Sequence, residues 1–142
     1  YVRYDTMKMI HYIDDLSGLS SEHLSGFFSG WSSHPDPEMH YSILLNSYKA
    51  WLAMDCNRCI GFINALSDDI FYAYIPLLEV LPDYRGNGIG TELVRRMLAS
   101  LEGMYAANIV CDPDAASFSE KLKFVRCVGM IWRNIKRLSE PK

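Results

Sequence analysis

The chain has 142 residues, of which 49% are hydrophobic and 22% charged, with a formal net charge of −3 and a pI near 5.8. This length predicts one domain, covering residues 1–142, with a sizeable hydrophobic core. The mildly acidic balance disfavours a nucleic-acid partner. No apolar run is long enough to span a membrane, and four cysteines do not make a disulfide scaffold, so we expect a cytoplasmic protein.

The first half of the chain predicts a strand, two helices and a hairpin. Apolar residues favour a strand over 9–13 and then a helix that starts at Ser20 or Ser21 and runs to Trp31. Asp36 is the predicted N-cap of a second helix, with Pro37 at its first position. Two apolar runs, at 49–54 and 59–66, are separated by a turn and predict a hairpin.

The second half predicts a central strand and two strand-helix units. The central strand covers 70–81, and Pro76 within it indicates a bulge or local splay, because proline cannot donate to the ladder. A helix follows, whose apolar stripe is formed by Ile89, Leu93, Val94, Met97, Leu98 and Leu101. A strand at 107–111, a helix at 115–121 and one or two strands within 124–132 complete an α+β (or α/β) domain, a single mixed sheet with helices on both faces.

A glycine-rich loop joins the central strand to the long helix. The loop reads Arg85-Gly86-Asn87-Gly88-Ile89-Gly90, which is neither the spacing of dinucleotide binders nor a nucleotide P-loop. Glycine lets the backbone approach a ligand closely, and the first amides of a helix have no intrahelical partner. With an arginine beside them, these amides form an anion site, and we expect it to hold a diphosphate.

The loop and a downstream segment together resemble the GNAT superfamily of acyl-CoA-dependent N-acetyltransferases. Residues 85–90 fit its Arg/Gln-x-x-Gly-x-Gly/Ala signature. Residues 112–124 resemble its second signature, Asn-x-x-Ala-x-x-Phe-Tyr-Glu-Lys-Leu-Gly-Phe, in spacing and in most residues. The resemblance implies a mostly antiparallel sheet with one splayed parallel strand pair. It also implies acetyl transfer from acetyl-CoA to the primary amine of a small molecule or peptide, without a metal, in a ternary complex.

The resemblance assigns donor-binding roles to two stretches of the chain. Backbone amides of the loop would hold the CoA pyrophosphate, the exposed backbone of 78–80 would pair with the pantetheine arm, and the Val80 amide would polarise the thioester. Phe118 would line the arm, and Asp112 stands where the family has asparagine. The implied donor-site residues are Leu78, Val80, Arg85, Gly86, Asn87, Gly88, Ile89, Gly90, Asp112 and Phe118.

The catalytic residues depart from the family pattern. Ser119 occupies the position of the usual tyrosine acid, and a serine hydroxyl is a much weaker acid than a phenol. Tyr74 matches the position of the family's glutamate base, Glu79 is the nearest carboxylate, and an ordered water is the third candidate. Regular alternation would place Tyr74 and Glu79 on opposite faces of the strand. Lys123 replaces a family glycine.

Other residue types carry weaker signals. Cys56 and Cys59 form a single pair on a hairpin turn, which favours a structural role over zinc or redox chemistry. Cys111 and Cys127 are expected to be small strand hydrophobes. The four histidines are expected on the surface, although His34 and His40 flank a bend that overhangs the acceptor side. Aromatic residues near the first helices hint at an apolar or aromatic amine. A non-catalytic acyl-CoA-binding module is the alternative function, a nucleotide-binding domain of another kind is a weaker one, and a homodimer is compatible with the chain.

Overall fold

The described residues form a five-stranded sheet in the order β1-β2-β3-β4-β5, with helices on both faces. The computed structural model describes residues 9–134 and 136, and the rest of the predicted single domain lies outside the described residues. Among the described strands only β4 and β5 pair in parallel, so the predicted mixed, mostly antiparallel sheet is confirmed. The elements are β1 (His11–Ile13), α1 (Pro37–Leu45), β2 (Lys49–Asp55), β3 (Arg58–Ser67), β4 (Tyr72–Val80), α2 (Ile89–Ser100), β5 (Ala106–Ile109) and α3 (Ala116–Lys121).

Side chains alternate along β3 between two helical layers. Gly61 faces α2, where a Cβ built on it would lie 3.3 Å from the side chains of both Ile89 and Leu93. Phe62 faces the opposite side and packs against His40 in the first turn of α1, with 4.2 Å between the two ring centroids. We call these the α2 face and the α1 face. The α1 helix begins where predicted, because the Asp36 side chain accepts from the Met39 N–H at 2.8 Å.

A bulge in β4 opens the sheet between its two parallel strands. Asn64 pairs with Leu77 and Leu66 with Tyr74, so β4 has one more residue than β3 across this interval, next to Pro76. The β4–β5 ladder begins at Tyr72↔Ala106 and stops at Ile75↔Ile109, whereas β4 remains paired with β3 as far as Val80. The predicted bulge and splay are therefore confirmed.

The predicted helix from Ser20 or Ser21 to Trp31 is wrong. Only Ser21–His23 forms a single 3-10 turn. Beyond it, Gly26 and Gly30 have φ values of +92° and +88°, and Phe28 has a φ of +62°. Three left-handed residues within five positions cannot continue a helix, and the Phe28 N–H is bonded to a distant side chain instead.

The predicted strands within 124–132 are also absent. These residues are irregular, and the apolar side chains of Val125, Val128, Met130 and Trp132 are exposed. A strand is stable only with a ladder partner, and β5 is four residues long, with no described pairing on its outer side. The expectation for Cys111 and Cys127 fails for the same reason, because both lie outside strands and are exposed.

Candidate functional site

The glycine loop adopts the geometry that an anion site requires. Gly86 and Gly88 have φ values of +76° and +77°, and a Cβ at either position would have no neighbour within 4 Å. Both glycines are therefore selected by backbone conformation. Gly88 is the N-cap residue of α2 and supplies no side-chain cap, so the first-turn amides stay available to a ligand. Asn87 turns its amide inward, donating to the carbonyls of Tyr84 and Arg85 at 3.2 Å.

Alternate backbone groups of β4 point into the splay. The Leu81 N–H donates to the Ile60 carbonyl at 2.8 Å, so Gly61 and Val80 form a non-hydrogen-bonded pair of the antiparallel ladder. In such a pair the N–H and C=O groups point away from the partner strand. Those of Val80, and by the same register those of Leu78, are therefore directed toward the side where β5 has separated.

Arg85 links the loop to this open edge. Its Nε donates to the Val80 carbonyl at 2.8 Å, although the side chain is exposed. The bond occupies the Val80 carbonyl and holds the guanidinium beside the splay. The Val80 N–H remains directed into the opening, because it belongs to the same outward-facing residue.

The second signature contacts the first at Gly90. A Cβ built on Gly90 would lie 3.5 Å from the Phe118 ring and 3.8 Å from the Val80 side chain. Phe118 on α3 therefore closes over the first turn of α2 at the inner end of the loop. Asp112 is exposed and precedes the 3-10 turn Pro113–Ala115, where its carbonyl accepts from the Ala115 N–H at 2.9 Å.

The two candidate bases, Tyr74 and Glu79, lie on the same face of the sheet and not on opposite faces as predicted. Glu79 pairs with Phe62 and Tyr74 with Leu66, and both partners lie on the α1 face of β3. The extra residue at the bulge restores Tyr74 to the face that Glu79 occupies, so regular alternation gives the wrong answer. Tyr74 is 38% exposed there.

Glu79 ties the irregular segment that contains Phe28 to the central strand. Its carboxylate accepts from the Phe28 N–H through both oxygens, at 3.1 and 3.0 Å. Burial raises the pKa of the Glu79 carboxyl above its ordinary value, while the Phe28 amide and the charge of Arg85 act in the opposite direction. Phe28 holds its left-handed conformation while its amide makes this contact.

The candidate acid lies inside α3. Ser119 is buried, and its carbonyl accepts from the N–H groups of Leu122 and Phe124, which closes the end of the helix. Lys123, at the position of the family glycine, has a φ of +70° and so adopts the conformation that glycine favours.

The expected surface position of all four histidines is wrong for His40. This residue is 1% exposed and lies among the rings of Phe27, Phe28 and Phe62. The four-residue helical spacing of His40 and Leu44, both buried on α1, indicates that they share the inner face of the helix. The polarity of histidine, taken alone, favours the surface and gives the wrong prediction here. His34 is exposed, with Nδ1 2.9 Å from the Pro35 carbonyl.

The cysteine pair has the geometry of a hairpin turn. Cys56 is exposed with a φ of +53°, whereas Cys59 is buried and its Sγ donates to the Gly61 carbonyl at 3.3 Å. Burial raises the pKa of the Cys59 thiol to about 12, which keeps it protonated. Across residues 9–134 and 136, no cluster of three or more His, Cys, Asp or Glu could hold a metal ion. The helices in that part of the chain are all too short or too polar to cross a membrane.

Comparison with known proteins agrees with this geometry. Residues 16–124 match the Acetyltransferase (GNAT) family. The chain belongs to the GNAT family. A solved structure from Deinococcus radiodurans R1, described as an acetyltransferase, superimposes with a TM-score of 0.89 at 38% identity and covers 94% of both chains. A GNAT family acetyltransferase from Streptococcus pneumoniae TIGR4 superimposes with a TM-score of 0.74 at 25% identity, covering 89% of this chain and 99% of the other.

Curated proteins with similar sequences include two N-acetyltransferases. An uncharacterized N-acetyltransferase, ycf52, from Pyropia yezoensis is 29% identical over 112 residues, which are 72% of this chain and 64% of that protein. The N-alpha-acetyltransferase 30 of Schizosaccharomyces pombe is 31% identical over 86 residues, which are 54% and 57% of the two chains. The chain thus spans less than two thirds of the length of these relatives.

Proposed function

We propose that this GNAT protein transfers an acetyl group from acetyl-CoA to a primary amine by direct attack in a ternary complex. The observation that supports it most is the splay of β4 from β5 beside the uncapped start of α2. A backbone edge and an anion site then adjoin one another, as a ligand with a peptide-like arm and a diphosphate requires.

Each part of this donor site has a defined task in the proposal. The backbone of residues 85–90 binds the pyrophosphate through N–H groups, and the outward groups of Leu78 and Val80 pair with the amide-bearing arm. Phe118 lines the arm where it passes Gly90. When bound, acetyl-CoA supplies an activated acyl group as a thioester. The Val80 N–H then stabilises negative charge on the thioester oxygen, and Asp112 stays at the rim as an exposed acceptor.

We assign the base role to Glu79 in preference to Tyr74 or a water. Burial raises the pKa of its carboxyl, which brings it closer to the range in which a carboxylate removes a proton from an ammonium group. It also precedes Val80, whose amide faces the thioester. Ser119 is buried beside Phe118 and is assigned to hydrogen bonding at the leaving sulfur, with the proton returning through solvent.

The test is the release of free thiol from acetyl-CoA with a panel of amines, compared between wild type, Glu79→Gln and Tyr74→Phe. The glutamine keeps an oxygen acceptor for the Phe28 N–H but cannot accept a proton, so we expect kcat to fall at least 100-fold with the melting temperature maintained. Tyr74→Phe should stay within a few-fold of wild type. Equal activity of Glu79→Gln and wild type would refute the base assignment, whereas acetyl-CoA binding without turnover on any amine would favour the acyl-CoA-binding module.

The proposed partners follow from the same site. The acceptor is a small-molecule or peptide amine that approaches from the α1 face, where Glu79 and Tyr74 lie. A homodimer stays a prediction, which sedimentation equilibrium of the purified chain would test. The cytoplasmic location inferred from composition also stays a prediction.

A further inference from the structure

His40 is a buried polar residue whose ring nitrogens have no partner. The side chain is 1% exposed, and neither Nδ1 nor Nε2 has a hydrogen bond to any residue that the structure describes. Three phenylalanine rings surround it, with centroids at 5.4 Å for Phe27, 4.9 Å for Phe28 and 4.2 Å for Phe62. Ring contacts of this kind satisfy the carbon edges of an imidazole but not its nitrogen lone pair or its N–H.

The ring of His40 has hydrogen-bonding capacity that the described residues do not use. Most buried polar side-chain atoms have a hydrogen-bond partner, and leaving one unsatisfied costs its full desolvation. A residue chosen only to fill space at this position would be leucine or phenylalanine. The ring is also uncharged at neutral pH, because burial lowers the pKa of His40 to about 4. It therefore offers one donor and one acceptor, and it suits a neutral polar group rather than an ion.

A pocket of about 260 Å³ adjoins His40 on the α1 face. The residues around it are Leu24, Gly26, Phe27, Phe28, His34, Pro35, Pro37 and His40. Five of these carry flat rings or proline rings beside His40 and the small Gly26, and none is an aspartate, glutamate, lysine or arginine. Flat, apolar walls of this kind favour an aromatic ring over an aliphatic chain with several charges.

The pocket is connected to the proposed chemistry by one residue. Phe28 forms part of its wall, and the Phe28 N–H is bonded to the carboxylate of Glu79, the proposed base. Val80 follows Glu79 and directs its amide into the splay. A ligand held in the pocket thus lies on the side of β4 from which an amine would approach the thioester.

We infer that the pocket is the acceptor subsite and takes the ring of an arylalkylamine, with His40 bonded to a neutral polar group on that ring, such as a phenol hydroxyl. The amine at the other end of the molecule extends toward Glu79. This inference rests on the proposed acetyl transfer and names its substrate class. His40 acts on selectivity between acceptors and takes no part in proton transfer from the amine.

Two amines that differ by one hydroxyl test the inference, tyramine and phenethylamine, with spermidine as the aliphatic comparison. We expect wild type to acetylate tyramine with a kcat/KM at least tenfold above that of phenethylamine, because the hydroxyl satisfies His40. His40→Phe should reduce this ratio to about one and leave the KM for acetyl-CoA unchanged. His11→Phe, the same substitution at an exposed position of β1, should leave the ratio at its wild-type value.

A second measurement on the unaltered protein keeps the inference testable if His40→Phe fails to fold. The nitrogen NMR shifts of the His40 ring should change on addition of tyramine and stay unchanged with phenethylamine. A ratio near one in wild type, or a ratio that His40→Phe does not alter, would overturn the subsite. Acetylation of spermidine alone would overturn it while leaving the proposed function intact, whereas no acetylation of any amine would contradict the proposed function itself.

Discussion

Gly88 is the single residue on which the donor site depends most directly. Its φ of +77° is accessible to glycine at little cost, and it sits at the point where the loop becomes α2. A Cβ there would meet no atom within 4 Å, so the effect of a substitution comes from backbone conformation and not from a steric clash. A substitution at Gly88 therefore changes the backbone conformation of the loop without disturbing its packing.

We expect Gly88→Ala to weaken acetyl-CoA binding at least tenfold and to destabilise the fold by about 1 kcal/mol. The alanine favours a negative φ, which would turn the first-turn amides of α2 away from a common ligand. Isothermal titration with acetyl-CoA measures the first effect and chemical unfolding the second. Gly103→Ala is the matched control, because Gly103 has open space and no positive φ. Unchanged affinity in Gly88→Ala would contradict the assignment of the loop.

Residue roles set by the backbone were more predictable than roles set by distant contacts. The glycines at 86, 88 and 90 could be identified from the sequence because their chemistry follows from the missing Cβ. The bond from Phe28 to Glu79 could not, since it joins residues 51 positions apart. The burial of His40 was signalled only by its helical spacing to Leu44. The shared face of Tyr74 and Glu79 was missed because one extra residue at the bulge reverses the alternation.

At the scale of elements, α3 ends in an unfavourable conformation. Lys123 follows the C-cap residue Leu122 and has a φ of +70°, where a side chain costs roughly 1–2 kcal/mol relative to glycine. The end is held by the bonds from the Leu122 and Phe124 N–H groups to the Ser119 carbonyl. The helix that carries Phe118 and Ser119 is therefore less stable than its hydrogen bonding alone would make it.

Lys123→Gly should stabilise the protein by about 1 kcal/mol. Glycine relieves the strain of the left-handed conformation, and this gain is larger than the cost of the extra chain entropy that glycine has in the unfolded state. The melting temperature should rise by about 3 °C, measured by circular dichroism. Lys121→Gly, at the last residue of α3, is the matched comparison and should lower stability by about 0.5 kcal/mol, because glycine is a poor helix former. A loss of stability in both variants would show that the left-handed position carries no strain.

Element predictions succeeded where one local signal was strong. The apolar stripe of α2 and the capping of α1 by Asp36 were sufficient: α1 begins at the expected Pro37, and α2 carries the expected stripe from Ile89 to Leu98, with Leu101 at its C-cap. The segment from Ser20 to Trp31 has a helical apolar spacing, yet its glycines and the Glu79 contact determine an irregular path. The apolar run after Phe124 predicts a strand, but a strand depends on a partner that local sequence does not specify.

At the scale of the whole molecule, the buried His40 and the half-buried Glu79 on the α1 face act on stability in opposite directions with pH. Burial lowers the pKa of His40 to about 4 from an ordinary 6.5. The part of the free energy of unfolding that depends on His40 being neutral is therefore fully present above pH 6.5 and is lost as the pH falls toward 4. Glu79 has its pKa raised, so ionisation in the folded state is unfavourable. That cost is present at neutral pH and disappears as the pH falls through its folded pKa toward 4.5.

The free energy of unfolding should therefore decrease on acidification from pH 6.5 toward pH 4 with a slope that includes about 1.4 kcal/mol per pH unit from His40. His40→Phe should lack this component, so its stability relative to wild type should increase steadily as the pH is lowered. Urea unfolding at half-unit intervals measures the difference, in which the carboxylates shared by both proteins cancel. The exposed His11→Phe variant should run parallel to wild type. A constant difference between His40→Phe and wild type across this range would mean that His40 takes up its proton in the folded state as readily as in the unfolded chain, which would contradict the lowered pKa.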